Sequence, residues 1–125
     1  MKLIIAGSRD ITDFTVLIDA LVEVYDSGFL SESKVITEIV SNNAKGPDRL
    51  GEEYAKRFSI AVKKFIPDWD GRGKSAGMQR NSEMGQYADA AVVLWDGKSR
   101  GTKHMIDVMR RLNKPCYVRI IHEAS

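Results

Sequence analysis

Apolar runs of five to seven residues alternate with longer stretches of helical period along the whole chain. "KLIIA" (2–6), "KVITEIV" (34–40), "IAVKKFI" (60–66), "DAAVVLW" (89–95) and "PCYVRII" (115–121) read as buried strands. Between them, "DFTVLIDALVEVY" places Phe14, Leu17, Ile18, Leu21 and Tyr25 on one helical face. "GPDRLGEEYAKRF" has Pro47 suited to a first helical position and a stripe of Leu50, Tyr54, Ala55 and Phe58. "SAGMQRNSEMGQYA" is a helix that Ser75 can cap, and "TKHMIDVMRRLN" turns Met105, Ile106, Met109 and Leu112 inward.

The order β-α-β-α-β-α-β-α-β predicts an α/β, Rossmann-like three-layer sandwich. Its five-stranded, mostly parallel sheet is expected in the order 3-2-1-4-5, with strands apolar on both faces. In open sheets of this kind ligands bind beyond the carboxyl ends of the strands. The four strand-to-helix loops there are "GSRD", "SNNAKGPD", "PDWDGRGKSAG" and "DGKSRGT", whereas the opposite rim has the plainer "DSGFLSES", "SI", "YA" and "NK". The unusual chemistry gathers on the edge that also carries the helix N-termini, whose free amides favour anions.

Two of these loops contain Gly-Lys-Ser, at 73–75 and 97–99, yet neither is a P-loop. That motif needs a glycine five residues before its Gly-Lys pair, and Asp68 and Val92 stand there instead. Gly71, Gly73 and Gly77 mimic a dinucleotide fingerprint but are spaced one residue too long and lie mid-chain. A composite anion site is the remaining reading, with Lys74, Arg80, Lys98 and Arg100 supplying charge.

Each rim residue also has a plainer reading. Gly7, Ser8 and Arg9 either donate to a phosphate or form a tight turn. Asn42 and Asn43 shape a turn or meet a ribose or base. Trp69 is an aromatic lid or a stacking platform. Arg80 and Asn81 share a helical face with Gly77, Met84 and Ala88, so Arg80 lies at the sheet's rim or, with the helix rotated, in solvent. His104 reads as a helix-surface residue, Glu52 and Glu53 as an exposed helical face, and Asp68 and Asp70 as solvated loop carboxylates rather than metal ligands.

A chain of 125 residues suits one domain, 1–125, and its 43% hydrophobic and 29% charged residues are ordinary for a soluble protein. The net charge of +2 is too small for a large nucleic-acid footprint, so single-stranded DNA is not the expected partner. Cys116 is the single cysteine, which fits a reducing cytoplasm and a small buried apolar role. No apolar run reaches membrane-spanning length, so no membrane partner is expected.

The combination of "GSRD", "AKGPDRLGEEYA", "PDWDGRGKSAGMQRN" and "ADAAVVLWDGKSRGTKHMI" resembles the SLOG superfamily, in particular its small bacterial and phage branch related to YspA. The resemblance implies a Rossmann-like sheet that binds nucleotides or nucleotide-derived ligands. The superfamily includes LOG-type phosphoribohydrolases and the DNA-processing proteins of natural transformation. "RNSEM" is similar to the LOG Arg-Lys-x-Glu-Met segment and puts Arg80 at its catalytic arginine. "DGKSRGTKHM" is similar to the LOG Pro-Gly-Gly-x-Gly-Thr-x-x-Glu loop, with Gly101 and Thr102 as its phosphate-binding Gly-Thr pair. The final Glu of that loop falls on Met105, and the paired glycines common after strand two are Asn42 and Asn43.

The expected ligand-binding set is therefore Gly7, Ser8, Arg9, Asn42, Asn43, Lys45, Gly46, Asp48, Trp69, Lys74, Ser75, Arg80, Asn81, Gly97, Lys98, Ser99, Gly101 and Thr102. The expected function is binding of a phosphorylated nucleotide or nucleotide-derived small molecule by a sensor or sequestering module, with no cofactor and no metal. The alternative is a nucleoside monophosphate N-glycosidase using Arg80 with Asp70 or Asp96, or with Asp10, as the carboxylate near an oxocarbenium-like state. A toprim-like phosphoryl transferase would rest on Asp68 and Asp70, but such domains want a Glu where strand one here ends in Gly7-Ser8-Arg9. Related folds form dimers, which makes a homodimer an expectation.

Overall fold

The computed structural model describes residues 1–8, 10–28, 35–41, 47–65 and 76–121. The strands are β1 (Lys2–Gly7), β2 (Glu38–Ser41), β3 (Ala61–Lys64), β4 (Ala90–Trp95) and β5 (Cys116–Ile120). The helices are α1 (Phe14–Asp26), α2 (Pro47–Arg57), α3 (Ala76–Tyr87) and α4 (Arg100–Arg111). All neighbouring strands run parallel, in the order β3-β2-β1-β4-β5.

The alternation along β1 divides the core in two. Leu3 and Ile5 point to one face with Ile39, Val92 and Leu94, where Leu17, Leu21 and Val24 of α1 and Leu50 and Ala55 of α2 cover them. Ile4 and Ala6 point to the other with Val40, Ala91 and Val93, beneath Met84 of α3, Ala88 just past its end, and Met105, Ile106 and Met109 of α4. The chain thus winds outward from β1 with its helices on one face, then returns to β4 and winds the other way with helices on the opposite face. The reversal falls between β1 and β4, whose register pairs Leu3 with Ala90 and Gly7 with Leu94.

Local chemistry sets several element ends. Asp13 caps α1 through Oδ1, which accepts the Thr15 amide at 2.9 Å. Lys114 caps the far end of α3, its Nζ donating to the Gly85, Gln86 and Ala88 carbonyls at 2.8, 2.9 and 2.7 Å. These are carbonyls that a helix C-terminus leaves without intrahelical partners.

Three side-chain expectations change. Every residue of β3 is exposed, because the strand lies at the sheet edge; its Lys63 and Lys64 suit that place. Phe58 falls one residue beyond α2, is 58% exposed, and rests on Tyr54 with ring centroids 4.6 Å apart. Leu112 is the cap residue after α4 rather than an inward position, and is 39% exposed. Among the described residues no helix is long and apolar enough to cross a membrane.

Candidate functional site

At the reversal point the two central strands are tied together beyond their last paired residues. The Ser8 amide donates to the Leu94 carbonyl at 3.0 Å, and the buried Ser8 Oγ accepts the Asp96 amide at 3.0 Å. Asp96 then turns the loop: its Oδ1 accepts the Lys98 and Ser99 amides, both at 2.8 Å. Those two backbone bonds, with a further one from the Ser8 side chain, hold the Asp96 carboxyl below its ordinary value, so it stays ionised. Gly97 sits in the turn with φ +84°, a left-handed conformation that disfavours any side chain.

Ser99 begins α4. Its Oγ accepts the Thr102 amide at 3.5 Å and the Thr102 hydroxyl at 3.0 Å, while its carbonyl accepts the Trp95 indole N–H at 3.1 Å. The Arg100 and Gly101 amides have no partner among the described residues and stand at the open end of the helix. A Cβ placed on Gly97 or Gly101 would meet nothing within 4 Å. No acidic residue lies in the first turn of α3 or α4, and Arg100 and Lys103 open α4. Cations at a helix N-terminus oppose its dipole by roughly 0.3–1 kcal/mol each, an arrangement that a bound anion would relieve.

The neighbouring helix supplies the remaining groups. Asn81 is only 4% exposed, and its Nδ2 donates to the Gly101 carbonyl at 3.3 Å. Its Oδ1 accepts Arg80 Nη2 in a long contact of 3.4 Å. Asn81 Nδ2 also lies 3.1 Å from His104 Nδ1. The inward rotation of α3 is thus the one realised, with Asn81, Met84 and Ala88 buried on the sheet side and Arg80 half-buried at the rim.

Of the residues expected in a binding site, Gly7, Ser8, Asp96, Gly97, Lys98, Ser99, Gly101, Thr102, Asn81 and Arg80 thus lie on one rim in two hydrogen-bonded series that meet at the start of α4. Ser8 Oγ and Ser99 Oγ accept within this scaffold and the Thr102 hydroxyl donates within it, while Lys98 and Arg100 are exposed beside the start of α4. Asp10 is exposed just past β1. Arg9, Asn42, Asn43, Lys45, Gly46, Asp68, Trp69, Asp70, Lys74 and Ser75, with the side chain of Asp48, lie outside the described residues.

Two residues whose sequence pattern suggests only surface positions have specific partners in the fold. Glu52 is not simply an exposed face: its Oε2 accepts the Ser41 hydroxyl at 3.3 Å and its Oε1 lies 3.1 Å from Lys64 Nζ. It therefore places a second carboxylate at the carboxyl ends of β2 and β3. His104 is half-buried beside Asn81, and burial, with Arg111 nearby, lowers its pKa. No local signal marks either one, because their partners are distant in sequence. Among the described residues no three His, Cys, Asp or Glu side chains gather as metal ligands.

A doubly wound parallel sheet, with its basic, amide-rich loops on the carboxyl rim beside the reversal point, defines a Rossmann-like α/β protein. The chain belongs to the YspA, cpYpsA-related SLOG family, whose model matches residues 1–71. That span includes the Ser8 turn and α2 but ends before α3 and α4. The Gene 61 protein of Mycobacterium phage D29 is 29% identical over 120 residues, covering 91% of this chain and 92% of that protein. No solved structure matches the chain.

Proposed function

We propose that the protein binds a phosphorylated nucleotide or nucleotide-derived small molecule on the carboxyl rim of the sheet, as a sensor or sequestering module. The observation that carries the reading is the start of α4. Its Arg100 and Gly101 amides have no partner among the described residues, no acidic residue shares its first turn, Lys98 and Arg100 are exposed beside it, and Arg80 is linked to it through Asn81. A phosphate is the common group that takes backbone amides and guanidinium together. Membership of a SLOG family supports the nucleotide part of the ligand.

Calorimetry against nucleoside mono-, di- and triphosphates and ADP-ribose tests the reading. At least one should bind, and Arg80→Ala should weaken it about 10- to 100-fold, the loss of a charge-assisted hydrogen bond. No binding at millimolar ligand, with Arg80→Ala indistinguishable from the parent, rejects it.

A second reading, nucleoside monophosphate N-glycosidase, is favoured by one specific observation. Asp96 is held ionised on the same rim, as a group that stabilises a developing positive charge must be. Arg80 would orient the phosphate and sugar. Chromatographic release of free base from a nucleoside monophosphate, lost in Asp96→Asn, distinguishes turnover from binding; a homodimer would be read separately by sedimentation.

A further inference from the structure

We propose that His104 is a positioning residue: neutral and with its proton on Nε2, it fixes the Asn81 carboxamide, and through it the Arg80 guanidinium, beside the start of α4. The orientation of Asn81 follows from its other contact. The Gly101 carbonyl can only accept, so the atom 3.3 Å from it is the amide nitrogen. That same nitrogen lies 3.1 Å from His104 Nδ1, which must then offer a lone pair. The remaining carboxamide atom, Oδ1, is left to accept Arg80 Nη2. One ring tautomer therefore sets three contacts in succession, and Asn81, at 4% exposure, has little water to replace any of them.

A second proton on the ring would set N–H against N–H₂ and break the link. Among the described residues the charged groups about the ring are Asp107 and Arg111 on its own helix and Arg80 across Asn81 on α3. Burial acts first and Arg111 second to disfavour the imidazolium, while Asp107 acts the other way. The net pKa lies below the ordinary 6.5. A folded pKa depressed in this way contributes stability that is present above the unfolded value and lost as pH falls through the folded one. His104 also lines the groove between α3 and α4 with Gln79 and Ser82, so protons reach it from solvent.

The effect on binding rests on the rim being an anion site; the tautomer and the linkage do not. Nitrogen-15 NMR of the full chain reads the linkage directly. At neutral pH the His104 ring should be the Nε2–H tautomer, and the Asn81 side-chain amide resonances should move with the His104 titration. His104→Asn keeps an acceptor near the Nδ1 position and does not titrate, so it should hold Asn81 across the whole range. His104→Leu should release it at every pH.

With inorganic phosphate and AMP as calorimetric probes, affinity should fall roughly tenfold in His104→Leu, the worth of about one hydrogen bond, and stay within about twofold in His104→Asn. An Nδ1–H tautomer, or Asn81 resonances indifferent to the titration, overturns the proposal even if both probes bind. Probes that fail to bind, with the NMR linkage intact, reject the anion site and leave the linkage standing.

Discussion

Ser8 and Asp96, 88 residues apart, are joined where β1 and β4 end: the Ser8 Oγ accepts the Asp96 amide at 3.0 Å, and Ser8 is 2% exposed. Neither local turn needs the other for its own geometry. The bond exists because β1 and β4 are neighbours in register up to Gly7 and Leu94. Ser8→Ala keeps the shape but leaves the Asp96 amide without its acceptor. A loss of about 1–3 kcal/mol in urea denaturation is expected, together with weakening of the proposed nucleotide binding as the loop at 96–99 loosens. An unaltered denaturation midpoint would mean that the bond is not made.

Acid should act on the same loop through Asp96. The Lys98 and Ser99 amides, and then the Ser8 side chain, hold its carboxyl below the ordinary 3.8. Because the folded value is the lower one, this stabilisation is complete above the unfolded value and disappears as pH falls through the folded one. Asp96→Asn should therefore lose stability at neutral pH and show a shallower decline than the parent between about pH 5 and pH 2. Parallel denaturation curves of the two proteins over that range would contradict the assignment.

Gly97 and Gly101 separate backbone strain from ligand access. A Cβ meets nothing within 4 Å at either position, but Gly97 has φ +84°. Gly97→Ala should cost about 1 kcal/mol from conformation alone. Gly101→Ala should leave the fold unchanged or slightly more stable, since alanine favours a helix by roughly 0.5–1 kcal/mol over glycine. Yet it should weaken the proposed phosphate binding by crowding the unpartnered amides at the start of α4. Thermal melts and calorimetry on the two variants should give opposite rankings.

Gly85 lets α3 and α4 meet closely enough for Asn81 to reach Gly101. A Cβ there would lie 2.5 Å from Val108 Cγ1, on a side chain that is itself buried. Gly85→Ala should destabilise by about 1–3 kcal/mol through overpacking. The double variant with Val108→Ala should recover part of that loss, a coupling expected only for groups in contact. Strict additivity in the double-mutant cycle would place the helices farther apart.

Much of the architecture is legible in one dimension. Runs such as "KLIIA" and "DAAVVLW" have no polar interruption because helices cover them on both sides, and the period of 3.6 marks α1 as amphipathic, although full burial falls on Leu17, Ala20, Leu21 and Val24 while Phe14, Ile18 and Tyr25 are half-buried. β3 is less legible, since its apolar "IAV" is followed by lysines whose meaning depends on being at an edge. The rim was legible as a place, from the strand-to-helix order, but only in part as a set of contacts. Ser8, Ser99 and Thr102 read as ligand donors in one dimension, and in three dimensions their side chains also tie the loop at 96–99 to β1 and to α4.

What the sequence alone determined is the succession of strands and helices, the reversal that follows from it, and the gathering of glycines, lysines and arginines on one edge. These depend on periodicity and chain order, which a single sequence contains. Only the tertiary structure decided the rotation of α3, the union of Arg80, Asn81, Gly101 and His104, and the capture of Glu52 by Ser41 and Lys64. A polar side chain's partner is chosen by which element lies beside it, and the links from Asn81 to Gly101 and from Ser8 to Asp96 span 20 and 88 residues. No local pattern records such a choice, because hydrogen bonding reaches about 3 Å through space whatever the distance along the chain.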